Sequence, residues 1–299
     1  MSTIIPETLD LSDYLEDRHE GEHVRPASYF RDQVKHFFHG GGNTEGALLP
    51  WAKTHETIRL RAGEVSLWHG ENYSGKTTLT SHVAVHLIAS GWKVLVISLE
   101  MPPRTTLGKM NRQTIGVHQP SIEGVDTFHD WTDGKLWVYD RRGSVQWDKI
   151  IAVIRYAQDK FGIQHVFVDN LMKCVRGEDD YNGQKDFVNA LCTVAQDTNI
   201  HAHLIHHTKK PAHGAGVPGR YDAKGSGSIS DQVDNAFGVW RNRNDNKAMA
   251  EPDCVVNCDK QRHGEWDGKF SLWFDQASQR YSEGQTFQRS SYIRQLRAA

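Results

Sequence analysis

His69-Gly70-Glu71-Asn72-Tyr73-Ser74-Gly75-Lys76-Thr77-Thr78 is the stretch that decides the fold. From Gly70 to Thr77 it reads G-x-x-x-x-G-K-T, with an apolar run at 65–68 before it and a helical pattern at 79–89 after it. A strand that turns through glycines into a helix is the context in which this motif cradles a polyphosphate. Successive backbone N–H groups point into the loop, and the helix adds the positive end of its dipole. Gly70, Asn72, Ser74, Gly75 and Thr78 would line the cradle. Lys76 would reach the β- and γ-phosphates, and the Thr77 hydroxyl would ligate Mg2+. A chance glycine turn is the alternative, and the strand and helix in register argue against it.

Outward from this loop the chain is regularly α/β from Ile58 on. Strands are expected at 94–98, 136–139, 165–168 and 203–206, and helices at 147–160 and 187–198. Residues 102–135 read as helical and then irregular. Alternation of this kind implies a mainly parallel sheet with helices on both faces. Three further strands, at 236–240, 254–258 and 270–274, follow closely on one another, so that C-terminal edge is expected to be antiparallel. Ahead of the domain, 26–38 reads as an amphipathic helix in which Tyr29, Phe30, Val34, Phe37 and Phe38 recur near helical spacing, stopped by Gly40-Gly41-Gly42. It either folds back on its own domain or docks on a neighbouring subunit. The division is a polar lead and linker helix at 1–54, the α/β domain at 55–285, and a tail at 286–299.

Composition bounds the class. The 299 residues are 38% hydrophobic and 24% charged, which suits one large globular domain with an appendage. A formal net charge of -2 excludes a polycation, so contact with nucleic acid must come from a local basic loop. No apolar run approaches the roughly 18 residues of a membrane span, and the acidic first residues carry no signal-peptide core. The expected location is the cytoplasm, that of the host if the chain is phage-encoded. Cys254 and Cys258, four apart in a strand-like run, read as buried reduced thiols rather than a metal site.

Ligands of open α/β sheets gather at the carboxyl ends of strands, and four polar signals lie at such ends: the loop, Glu100, Asp169 and His207. Asp169 follows an apolar strand and suits a carboxylate that holds Mg2+, with a helix N-cap as the plainer reading. Glu100 could deprotonate the water that attacks a γ-phosphate, or be a surface glutamate. His207 could hydrogen-bond that phosphate, or be structural. The glycine-rich loop at 207–224 carries Lys209, Lys210, Arg220 and Lys224 against one acid, Asp222. It suits the backbone of a single nucleic-acid strand, or is a solvated loop. Lys260 and Arg262, at the end of a late strand, could project into a neighbour's nucleotide site as an arginine finger, or be a solvated pair.

Taken together, these segments resemble the RecA-type ATPase domain of hexameric replicative helicases. The resemblance is nearest to the phage primase-helicase and Twinkle branch, and more distant to DnaB-like helicases. It rests on 59–65 (RLRAGEV), Ser98-Leu99-Glu100-Met101, 165–171 (HVFVDNL), His206-His207-Thr208-Lys209-Lys210-Pro211, Gly225-Ser226-Gly227, Asp234-Asn235 and Lys260-Gln261-Arg262, in order over about residues 55–283. The resemblance implies ATP or another NTP with Mg2+, and a homo-oligomeric, hexameric ring on single-stranded DNA. It implies Lys76 and Thr77 on phosphate and metal, Glu100 as catalytic base and Asp169 as metal ligand. His207 would sense the γ-phosphate, and Arg262 with Lys260 would reach in from the adjacent subunit. Arg241 and Phe274 fall where the family sandwiches the base, although Phe274 could equally be core. The basic loop matches the family's channel loop. One departure is Asp231, with Gln232 beside it, where the family has a glutamine on the γ-phosphate. The short N-terminal lead leaves room only for the linker helix, so a primase or other replication protein would be a separate partner. The reading is an ATP-dependent DNA helicase or single-strand translocase in replication. A nucleotide-switched DNA-binding protein, such as a helicase loader or recombinase-like filament ATPase, is the reading from another class.

Overall fold

The computed structural model describes residues 25–39, 45–177, 179–208, 216–225, 227–244, 246–287 and 291–293. A short helical lead ends in α1 (Arg31–His39). The alternating body runs β1 (Val65–Gly70), α2 (Lys76–Ala89), β2 (Val94–Ser98), α3 (Pro103–Ile115), α4 (Ile122–Thr132), β3 (Leu136–Val138), α5 (Trp147–Phe161), β4 (His165–Asp169), α6 (Tyr181–Thr198) and β5 (His201–His207). It continues as α7 (Ser228–Gln232), β6 (Asn235–Arg241), β7 (Cys254–Gln261), β8 (Gly268–Asp275) and β9 (Arg280–Ser282). Among the described residues one sheet takes the order β3-β2-β4-β5-β1-β6-β7-β8-β9. Strands β1 to β6 pair in parallel and β7 to β9 antiparallel, as the spacing of the late strands implies.

Alternation along the strands divides the core in two. Leu67, Leu95, Val166 and Leu204 face one way, onto Ile150 and Ile154 of α5 and Phe187 and Leu191 of α6. Trp68, Val96, Phe167 and Phe237 face the other, onto Leu79 and Val83 of α2, Met110 of α3 and Phe128 of α4. With both faces covered, the strands can be apolar throughout. Ala47, Leu49 and Trp51 also enter this second core, and Trp51 Nε1 donates to the Tyr281 carbonyl at 3.0 Å. At the other end Tyr292 meets His82 Nε2 at 3.1 Å. The packed unit therefore reaches past both residue 55 and residue 285.

Three elements differ from the sequence reading. Helix α4 occupies part of the stretch expected to be irregular, and Ser121 caps it by accepting the Gly124 amide at 3.1 Å. Helix α6 starts at Tyr181, six residues early, because Asp180 accepts the Gly183 amide at 3.0 Å and supports a polar first turn. Strand β9 was not anticipated; it is three residues long. The lead helix does not fold back: Tyr29, Phe30, Val34 and Phe38 are all exposed, Phe38 by 70%. All four cysteines are free, and burial pushes the Cys258 thiol up to about 12.

The sheet also buries histidines. The His203 ring stacks on Phe167 at 4.0 Å, accepts from Trp68 Nε1 at 3.2 Å through Nδ1, and meets His165 Nδ1 at 3.3 Å. Burial holds His82, His165 and His203 well below the ordinary histidine range, and lowers His201 to about 4. The unfolded chain takes up protons at these groups that the native state refuses, so stability rises with pH there. Urea midpoints are expected to be level above about pH 7 and to fall progressively below about pH 6.5, the unperturbed histidine value. A midpoint that holds or rises between about pH 6.5 and 5 contradicts neutral burial.

Candidate functional site

The phosphate loop is held closed by its own lysine. Lys76 Nζ donates to the Gly70 carbonyl at 2.9 Å and the Glu71 carbonyl at 2.7 Å. Burial lowers its pKa to about 8, against the pull of the Asp169, Glu100 and Glu71 carboxylates. A buried ammonium satisfied only by carbonyls is ready to exchange them for phosphate oxygens. The Ser74 hydroxyl, also buried, has no partner among the described residues. Two glycines are obligatory here. A Cβ on Gly70 would stand 2.4 Å from the Val239 carbonyl oxygen. One on Gly75, whose φ is +88°, would stand 2.4 Å from Tyr281 Oη. Thr78 turns its carbonyl to Gln113 Nε2 at 2.9 Å, which ties the first turn of α2 to α3.

Parallel register brings the other residues to the same edge. Ser98, Asp169 and Ile205 stand side by side on β2, β4 and β5, and Gly70 stands beside His207. Thr77 Oγ1 donates to Asp169 Oδ2 at 2.8 Å. Burial raises the Asp169 pKa, while that hydrogen bond, Lys76 and Lys109 lower it. A hydroxyl and a carboxylate at this separation are a donor set for a hard divalent cation. Next along the chain, Asn170 Nδ2 donates to Glu100 Oε1 at 2.7 Å and lies 3.0 Å from His207 Nε2. Asn170 thus joins the two expected reacting side chains, a role that the sequence reading missed. Its polar position one residue after a strand-ending acid was the available signal.

Glu100, Asn170 and His207 border an open cleft of about 530 Å³ that extends over Glu71, Asn72, Tyr73, Lys173, Arg176, Lys224 and Arg243. Lys173, Arg176 and Arg243 were not singled out from sequence. Tyr73 is 89% exposed on a backbone with φ +62°. Of the basic loop, Lys209 and Lys210 lie outside the described residues. Its two ends are anchored at the site. The Thr208 amide donates to Gly70 O at 3.0 Å and the Lys224 amide to His207 O at 2.8 Å. His206 Nε2 donates to the Lys224 carbonyl at 2.6 Å. Arg220 lies over the Tyr221 ring at 4.7 Å and donates to its hydroxyl at 2.7 Å.

Lys260 and Arg262 lie at the opposite edge. Strand β7 runs antiparallel to β6, so its last residue, Gln261, pairs with Asn235 at the amino ends of the parallel strands. Lys260 Nζ donates to the carbonyls of Ser230 and Asp231, at 2.9 and 2.7 Å. Arg262 Nη2 donates to Gln232 O at 2.8 Å, and its Nε lies 3.2 Å from Asp234 Oδ1. The pair is therefore not simply solvated: it binds the last carbonyls of α7. At about 3.3 Å per residue this edge is roughly 15–20 Å from the phosphate loop of the same chain. Asp231 and Gln232, at the end of α7, share that edge, so the acid at 231 does not face its own loop. Arg241 ends β6 on the phosphate-loop side, exposed. Phe274 is partly buried and packs at 5.0 Å on Tyr281, whose hydroxyl abuts Gly75.

The sheet order, the glycine loop and the carboxylate at the end of β4 define a RecA-like P-loop ATPase fold. A model of the AAA domain family matches residues 57–213, more than half of the chain, and the chain belongs to that family. Two solved structures are similar in fold. A DnaB-like replicative helicase, studied with its interactions with primase, shares 15% identity at a TM-score of 0.71, over 87% of this chain and 67% of that one. The ATPase domain of G40P shares 16% identity at a TM-score of 0.75, over 85% of this chain and 97% of that one.

Lys76→Ala is expected to remove measurable binding of a nucleoside triphosphate while the thermal midpoint stays close to that of the parent, because Lys76 gives up only two loop carbonyls. Equilibrium titration with a fluorescent nucleotide measures it. Unchanged affinity would move the phosphate site away from this loop.

Proposed function

We propose that this chain is an ATP-dependent DNA helicase or single-strand translocase that works as a ring, hexameric as in the family it resembles, in DNA replication. The observation that carries the reading is the Asn170 amide held between Glu100 and His207, beside the Thr77–Asp169 pair. Lys76, the loop amides and Thr77 bind the phosphates of ATP, and Thr77 and Asp169 hold Mg2+, which supplies charge neutralisation when bound. Glu100 accepts the proton of the attacking water, and Asn170 fixes the carboxylate and orients it. His207 reads the terminal phosphate. The base of ATP lies between Arg241 and Phe274, with Tyr281 behind it. The loop from His207 to Lys224 grips single-stranded DNA through Lys209, Lys210, Arg220 and Lys224, and Lys173 and Arg176 extend that basic surface. Tied to His207 and Gly70 at its base, the loop follows the state of its own nucleotide. The exposed face of α1 docks on an adjacent subunit, and Lys260 and Arg262 act on the neighbour's ATP. The ATPase domain takes in 55–285 together with the segments around Trp51 and Tyr292 that pack on it, the linker helix precedes it, and the chain works in the cytoplasm. A primase or another replication protein is a separate partner.

The deciding experiment measures ATP turnover with and without single-stranded DNA, together with strand displacement. Rapid DNA-stimulated turnover with strand separation supports the reading. ATP-dependent DNA binding with slow turnover and no strand separation points instead to a nucleotide-switched loader or filament protein.

Glu100→Gln is expected to keep nucleotide affinity and to lower turnover by about 10²–10⁴, the usual loss of a general base. Asn170→Ala is expected to lower turnover by about tenfold, the scale of one lost hydrogen bond to a charged group. Turnover in Glu100→Gln within about threefold of the parent would assign the base elsewhere.

The neighbour's finger is tested by mixing. Arg262→Ala and Lys76→Ala are each expected to be nearly inactive, since such fingers contribute about 10³–10⁵ in rate. In mixed rings some interfaces join an intact loop to an intact finger, so single-turnover hydrolysis is expected to return. Mixed rings verified by native mass spectrometry that stay silent would show that Arg262 works only as the cap of α7.

A further inference from the structure

The turn after β6 holds one cation over the phosphate loop. Two of its described amides are held by its own side chains. The Asn244 amide donates to Asn242 Oδ1 and the Asn246 amide to Asn244 Oδ1, both at 3.0 Å, and the Asn242 amide donates to Asp253 O at 2.9 Å. Such bonds between asparagine side chains and nearby backbone make a turn that needs no core of its own. From it Arg243 reaches across to the loop after β1. Its Nη2 donates to the Asn72 carbonyl at 2.7 Å and lies 3.2 Å from Glu71 Oε2.

Glu71 is an awkward residue for a loop that takes phosphate. It follows Gly70 directly, and it lines the same cleft as Glu100 and His207. A nucleoside triphosphate brings three to four negative charges to that cleft. Backbone dipoles attract it, but they do not cancel a full charge of the same sign at the mouth of the loop. Glu100 and Asp169 already add two carboxylates nearby. Arg243, on the turn after β6, stands against the third.

We propose that Arg243 is a positioning residue that neutralises Glu71, so that the loop accepts a nucleoside polyphosphate. This rests on the nucleotide reading of the site. Three roles for Arg243 separate cleanly. As a mechanical clamp on the loop, it would be matched by Glu71: removing either partner would weaken binding alike. As a direct ligand of the phosphate, its loss would not be repaired by removing the acid. As a neutralising charge, its loss is repaired by removing the acid.

The test titrates the full chain and the variants Arg243→Ala, Glu71→Gln and Arg243→Ala/Glu71→Gln with a fluorescent ATP analogue and Mg2+ at two salt concentrations. Thermal melts check that each variant is folded. One screened unit charge against a triphosphate at this range is worth roughly three- to tenfold in affinity. Arg243→Ala is therefore expected to bind roughly three- to tenfold more weakly, and Glu71→Gln more tightly than the parent. The double variant should return to within about twofold of the parent. The deficit of Arg243→Ala should shrink between about 0.05 and 0.5 M salt, as screening shortens from roughly 14 to 4 Å. Equal weakening in both single variants, or a double variant as weak as Arg243→Ala, overturns this inference and leaves the nucleotide site standing. No nucleotide binding by the parent overturns the nucleotide reading, and this inference with it.

Discussion

The hydrogen bond from Thr77 to Asp169 joins the two parts on which the rest depends: the helix that follows the phosphate loop and the strand at the middle of the parallel sheet. It forms only because β2, β4, β5 and β1 run parallel in a register that ends them together. A slip of one residue in β4 would turn Asp169 to the opposite face and expose the apolar residues that alternate with it. The apolar face that α2 and α3 cover and the polar edge above it are therefore set by the same register. Stability and site geometry share one cause.

That edge also links the site to the basic loop. His207 faces Asn170 through its side chain and holds the Lys224 amide through its carbonyl, while the preceding His206 holds the Lys224 carbonyl. Adjacent residues on a strand point to opposite faces, so the pair can bind the loop's return on one side and meet the reacting groups on the other. Gly70 makes the second connection, through its carbonyl to Thr208. Both ends of the loop are thus hydrogen-bonded to the site, one through Gly70 and one through His207.

The strands and the loop were legible because their signals are local and strong. The run at 65–68 and the G-K-T that follows it can be read without knowing what packs on them, and the apolar strands of a covered parallel sheet stand out against polar helices. That Asp169, Glu100 and His207 lie at one edge was legible from position alone, each at or just past the end of a strand. What was not legible depended on distant partners. Asn170 acquires its role only when Glu100 and His207 are brought to either side of it. Arg243 does so only when β6 lies beside β1, and Tyr281 only when β9 lies over Gly75. Lys260 and Arg262 read in the sequence as a finger for a neighbour's site or a solvated pair, and their hold on α7 comes from the antiparallel strand that places them at the far edge. The polar first turn of α6 hid its start, since its cap outweighs periodicity there.

In the proposed function the terminal phosphate reaches the basic loop through His207. Amide hydrogen exchange at Lys224 reads this link directly, because that amide is donated to the His207 carbonyl. A non-hydrolysable triphosphate is expected to slow exchange both at the phosphate loop and at Lys224, whereas a diphosphate is expected to slow it at the phosphate loop alone. Exchange at Lys224 that is the same with triphosphate, diphosphate and no nucleotide, while the phosphate loop is protected by both, would contradict it.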